Sequence, residues 1–78
     1  MSYLFAVDTV KEEISVSESP KGSNKVNFIE NISKSENEIL YQAVVALTTI
    51  SKAPDLDIAL FKAMDKVCQL AYSKHKEK

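Results

Sequence analysis

The sequence predicts an all-α protein: an antiparallel helical hairpin over residues 35–51 and 55–73, preceded by a short, partly ordered N-terminal segment. Two observations lead there. Ile39 to Ser51, I-L-Y-Q-A-V-V-A-L-T-T-I-S, runs thirteen residues without a charge. At about 100° per residue, Ile39, Ala43, Ala46, Leu47 and Ile50 share one side, Leu40 and Val44 widen it, and Tyr41 and Val45 point away. A helix apolar nearly all round is normally buried nearly all round, yet this one is too short for a bilayer, which takes about 20 apolar residues. The second observation is a similar excess in the segment after Pro54.

Length and composition narrow the setting. Seventy-eight residues form one small domain, with 1–24 read as N-terminal segment and linker and 25–78 as helical core. Chains of this size bury only about 60% of their unfolded surface and often lean on association. Cys68 is the only cysteine and His75 the only histidine, so neither a disulfide nor a zinc set is available. Ten lysines, no arginine and a net charge of −1 supply no long-range pull toward nucleic acid or membrane. The N-terminus lacks a basic region, and Asp8 interrupts its apolar run too early for a signal peptide. A lone reduced cysteine agrees with a cytoplasmic setting.

Residues 1–16 read two ways. Tyr3, Val7, Val10 and Ile14 recur at helical spacing, whereas Y-x-F-x-V-x-T alternates as a strand would. Lys11, Glu12 and Glu13 tilt the expectation toward helix or partial order. Residues 17–24, S-E-S-P-K-G-S-N, have the composition of a linker. Val26, Phe28, Ile29 and Ile32 then suggest a short helical turn or two, able to fold over the hairpin as a lid. Ser35 and Glu38 form a capping box, which starts the first long helix at Ser35. Pro54 ends it and suits the first turn of the next, which Asp55 or the residues before it would cap.

In that second helix Leu56, Ala59, Leu60, Ala63, Met64, Val67, Leu70 and Ala71 make one stripe, extended sideways by Phe61, Cys68 and Tyr72. The arc covers roughly 200°, against about 100° for a helix with one neighbour. Two hairpins joined as a four-helix bundle would cover the excess. The tail, K-H-K-E-K, is expected to fray.

Candidate sites follow from the same pattern. Tyr41, Val45, Phe61, Met64, Cys68 and Tyr72 lie on or beside the arc and are the expected interface residues, since aromatics beside a core often anchor interfaces. Phe28 and Ile29 would compete for the same surface. Cys68 reads as a small buried hydrophobe, and His75 as a surface residue. The acid pairs Glu36/Glu38 and Asp55/Asp57 sit at helix starts, where capping explains them. Gly22 is the only glycine, so there is no phosphate loop. No catalytic, cofactor or metal set emerges. Lys62, Lys66 and Lys74 are the nearest approach to a basic stripe and would contact phosphates in a DNA-binding alternative.

The run E-I-L-Y-Q-A-V-V-A-L followed by D-I-A-L-F-K-A-M, about thirty residues from Glu38 to Met64, resembles the AriR/YmgB group of small bacterial regulators. That group has a comparable L-x-Q-A-V-x-x-L helix, then a helix opening on I-x-L, with a further helix where this chain ends. The resemblance implies an all-helical dimeric regulator acting through protein or DNA contacts. The functional expectation is a non-enzymatic interaction module, a bacterial or phage-type regulator, inhibitor or small chaperone, homodimeric or docked on a partner protein.

Overall fold

The computed structural model describes residues 2–20, 22 and 24–77. Positions 1, 21, 23 and 78 lie outside the described residues, and with them part of the expected linker and the end of the tail. The chain runs β1 (Ser2–Asp8), β2 (Glu13–Ser19), β3 (Asn27–Ser33), α1 (Glu38–Ser51) and α2 (Ile58–Lys76). The N-terminal third is therefore a three-stranded antiparallel meander in the order β1-β2-β3, not a helix or lid. The all-α hairpin and the four-helix bundle are overturned by this sheet: the two helices lie on it, and their shared apolar side is taken up by strands.

The strands arise from alternation that is short but regular. Tyr3, Phe5 and Val7 pair with Glu18, Val16 and Ile14. Ile14 and Val16 in turn pair with Ile32 and Glu30. Successive side chains on a strand point to opposite faces, so these residues share one face and meet the helices. Their neighbours on the other face are largely serines and asparagine, apart from Leu4 and the 61% exposed Phe28 beside Ser17. The register shifts after Val16, where Glu30 and Phe28 oppose consecutive residues of β2 and Ile29 is the extra one. This bulge lets Ile29 reach the core while Phe28 stays outside.

The β1–β2 turn closes without glycine. Asp8 Oδ1 accepts from the amides of Val10 and Lys11 at 3.0 Å each, an Asx turn. Glu12 completes it at φ 54°, in the left-handed region. A side chain there costs about 1–2 kcal/mol, while glycine loses about 0.5–1 kcal/mol of unfolded-state entropy. Measured against Glu12→Ala, which loses the same Lys34 ion pair at 3.3 Å, Glu12→Gly is thus expected to be more stable by roughly 0.5 kcal/mol and Glu12→Val less stable by about 1 kcal/mol. Urea unfolding midpoints of the three variants check the opposite signs.

Both helices form where the apolar runs predicted, with shifted caps. Asn37, not Ser35, caps α1, its Oδ1 accepting from the Leu40 amide at 3.1 Å. Ser33 and Ser35 are instead engaged with each other and with Glu36 in the turn leaving β3. Asp57 caps α2 through the Leu60 amide, and Lys52 is the C-cap of α1. The expected tail is helical through its described part: α2 continues to Lys76, with Lys74 and Lys76 in its last turn, where the helix dipole favours cations.

The core is one cluster of Ile14, Val16, Ile32, Leu40, Tyr41, Ala43, Val44, Cys68 and Tyr72. Half of each apolar arc faces the sheet. In α1 that half is Leu40, Tyr41 and Val44, which leaves Ile39 76% exposed. In α2 it is Cys68 and Tyr72 with Met64 beside them, which leaves Leu60, Val67 and Leu70 outside.

Candidate interaction surfaces

Tyr72 is the hub of the interior. Its ring meets Tyr3 edge-on at 4.7 Å and Phe5 at 6.1 Å, and stacks near His75 at 6.3 Å. Its hydroxyl donates to Glu30 Oε2 at 2.7 Å, so one phenol ties α2 to both outer strands. His75 is held from the other side, Asn37 Nδ2 lying 3.2 Å from His75 Nδ1. The α1 cap and the last turn of α2 are joined there, which is why His75 is half-buried and ordered. Cys68 is fully buried. Burial, with the charge of Asp65 behind it, pushes its thiol up from 9.0 to about 11, the behaviour of an inert core cysteine. Burial also raises the Tyr72 phenol, and the Glu30 hydrogen bond and charge push it the same way.

Of the six residues expected at an interface, Tyr41, Cys68 and Tyr72 are buried in the chain's own core. Val45 and Met64 pack against that core, and Phe61 is half-buried with Leu47 and Tyr3 around a shallow cavity. The apolar surface left over lies elsewhere. Leu60, Ala63, Val67 and Leu70 follow one another at spacings of three, four and three along the solvent side of α2, the three large ones 44–55% exposed, and Leu56, just ahead of the helix, is 39% exposed. Ile39 joins them across the helix pair: with Val67, Leu70, Ala71 and Lys74 it lines an apolar hollow of about 320 Å³. Sequence reasoning named these residues but assigned them to the interior. The signal for their exposure was the narrow four–three seam within a broader arc.

A second opening follows the free edge of β1. Phe5, Ala6, Val7 and Thr9 face Val45, Thr48, Thr49 and Lys52 of α1 across about 480 Å³. It adjoins the cavity of about 240 Å³ lined by Tyr3, Leu4, Phe5, Leu47, Thr48, Phe61 and others. Its Tyr3 end is blocked by Gln69, whose amide accepts from the Tyr3 N–H at 3.1 Å and donates to the Tyr3 carbonyl at 2.7 Å.

Lys62 and Lys66 are exposed on the flank of the α2 seam and Lys74 sits at its end, with Asp65 and Glu77 interspersed. Among the described residues no three His, Cys, Asp or Glu side chains gather as a metal set would. No helix among them is long and apolar enough to cross a membrane.

No family model, curated protein or solved structure matches the chain. The likeness to the AriR/YmgB group therefore rests on its thirty residues alone, and its all-helical implication does not survive the sheet.

Proposed function

We propose that the chain is a small non-enzymatic protein-interaction module that associates with a second copy through the outer face of α2. The observation that carries this reading is the exposed seam of Leu60, Ala63, Val67 and Leu70 on α2. Four–three spacing is the spacing by which one helix packs its knobs into another, and contiguous exposed apolar surface of this kind marks interaction sites.

A second copy fits better than an unrelated helix for two reasons. The seam is self-complementary when reversed: Leu60 and Leu70 each lie five residues from position 65, and Ala63 and Val67 two, so a two-fold axis there sets Leu60 against Leu70 and Ala63 against Val67 of the other copy, as an isologous contact requires. The charges match in the same orientation. Asp57 caps the start of α2, and Lys74 and Lys76 stand at its end, so antiparallel helices bring an acid to lysines at both ends. With Ile39 included, a strip on the order of 28 Å by 20 Å gives a total interface of about 1,100 Å², at the low end of specific interfaces. A reversible dimer in the micromolar range is the expectation. The role that follows is regulation or inhibition by docking, in which association governs which surface is available.

The DNA-binding alternative draws less support, because the Lys62/Lys66 flank is balanced by nearby acids and the chain is net negative.

Sedimentation equilibrium across micromolar protein tests the proposal. Wild type is expected to approach twice the chain mass, and Leu70→Glu to remain monomeric with unchanged circular dichroism, since Leu70 is 55% exposed and its replacement leaves the core intact. A wild type that stays monomeric at high micromolar concentration rules the proposal out.

A further inference from the structure

We propose that the open edge of β1 is a second binding site, one that takes an extended segment of another protein as a fourth strand, preferring a segment with a carboxylate toward its Lys52 end. This site is separate from the α2 seam and does not depend on it.

The edge has unmet backbone groups in a known direction. Both the N–H and the C=O of Tyr3 are bonded by Gln69, outside the β1–β2 ladder. In an antiparallel pair, residues alternate between bonding the neighbour and pointing away from it. Phe5 and Val7 are therefore directed outward like Tyr3, whereas Leu4, Ala6 and Asp8 bond β2. Among the described residues no turn, cap or side-chain bond reaches the backbone of Phe5 or Val7.

Gln69 shows what the edge accepts. A primary amide offers one carbonyl and one N–H₂, the same pair a peptide group presents, and it bonds Tyr3 with both at 2.7 and 3.1 Å. The protein thus closes one position of the edge with a peptide mimic and leaves the next two open. The other edge is handled differently. On β3 the bulge at Ile29 breaks the register, and the Ser33 carbonyl is taken by the amides of Glu36 and Asn37. Natural sheets protect exposed edges by such devices, so an unprotected stretch in the middle of β1 stands out.

There is also a floor for the incoming chain. Two helices packed 8–10 Å apart are wider than three strands at about 4.8 Å spacing. The second half of α1 accordingly overhangs β1, and Val45, Thr48 and Thr49 line the space beside Phe5 and Val7. The adjoining cavities share Phe5 and Thr48, giving a continuous trough for alternate side chains of an added strand, the β-augmentation mode of peptide recognition. Its Tyr3 end is closed by Gln69 and Asp65, which bond each other at 3.4 Å. Its open end carries Lys52, the one charged side chain among the described residues lining that half. A carboxylate on the incoming segment complements that lysine. A second copy of β1 fits worse: an antiparallel β1 pair centred on Ala6 carries each Asp8 to the Leu4 end, beside Asp65 rather than Lys52.

The test combines selection with amide exchange, using the intact chain. A phage-displayed library of random linear decapeptides is panned on the protein. The best binder is then added to labelled protein, and hydrogen exchange is read residue by residue. The expected result is an alternating apolar motif with an acid at a fixed position. Exchange of the Phe5 and Val7 amides should be fast in the free protein and slow at least tenfold on binding, with no change at Ile39 or Leu70. Lys52→Glu should weaken the peptide about tenfold, and Thr49→Arg, exposed and groove-lining, should abolish binding without loss of helicity. Failure to enrich any peptide overturns the proposal, as does enrichment of peptides that protect the α2 seam instead. Phe5 and Val7 amides as slow as Ala6 in dilute free protein would show the edge already occupied. Protection that grows with protein concentration alone would assign the edge to a second copy, and so overturn the occupant named here.

Discussion

Replacing Tyr72 by alanine is expected to destabilise the protein by about 3–5 kcal/mol, the range for removing a buried aromatic ring. The ring is fully buried between Tyr3 and Phe5, and its loss opens a void that the sheet and two helices cannot both close. A 78-residue domain has a total stability of roughly 4–12 kcal/mol, so this variant should be largely unfolded at 37 °C or close to it. Tyr72→Phe separates the hydroxyl from the ring. It keeps the packing and strips the half-buried Glu30 carboxylate of its 2.7 Å partner, which costs about 1–3 kcal/mol. Removing both polar partners, as in Tyr72→Phe with Glu30→Leu, should recover most of that loss, because no unpaired group remains. Urea titrations of wild type, Tyr72→Phe, Glu30→Leu and the double variant form a double-mutant cycle. Additivity within about 0.3 kcal/mol would mean the Tyr72–Glu30 bond contributes nothing.

Alkaline pH should destabilise the protein more than its surface charge alone would. Cys68 and Tyr72 are both acids held neutral by burial, with folded pKa values above the unfolded ones. For such groups the folded state binds more protons than the unfolded state once the unfolded pKa is passed, so stability falls as pH rises. Their contribution is whole below about pH 9. For Cys68 it is lost between 9.0 and about 11, at up to about 1.4 kcal/mol per pH unit, and the Tyr72 loss begins about one unit higher and continues past that range. By pH 10.5 a drop of about 2–3 kcal/mol relative to pH 8 is expected in urea midpoints. Cys68→Ala, though less stable throughout, should show a visibly shallower fall between pH 9 and 10.5. Parallel curves for the two proteins would remove Cys68 as a cause.

These two residues also show where reading along the chain stops being enough. Cys68 was legible as a buried hydrophobe, because it lies on a long apolar arc and nothing nearby would activate it. Tyr72 was legible as important but not as interior. Its position depends on Tyr3, Phe5 and Glu30, three residues more than forty positions away in a region read as helix or partial order. Gln69 is a stronger case. It lies off the apolar stripe of the second helix, and only folding makes it the cap of a strand edge sixty-six positions distant.

The sheet was partly readable. Y-x-F-x-V-x-T alternates over β1, and I-S-V-S alternates over β2. Two signals worked against it. The turn between them uses Asp8 and a left-handed Glu12 in place of the usual glycine, and the serines of β2 resemble a linker when read locally. Strand pairing is non-local, so seven-residue strands gain their stability from partners that no sliding window contains.

What the sequence alone determined is the pair of helices, their boundary at Pro54 and the fact that each carries more apolar surface than one neighbour can cover. Those follow from local spacing, charge-free runs and capping side chains, all within a few residues of one another. Which half of each arc is covered was decided only in three dimensions. The sheet packs against Leu40, Val44, Cys68 and Tyr72 because its own apolar face, from Phe5 through Val16 to Ile32, is built by strand register. The helix surface it leaves free, and the β1 edge the helices overhang, exist only once that layer is in place.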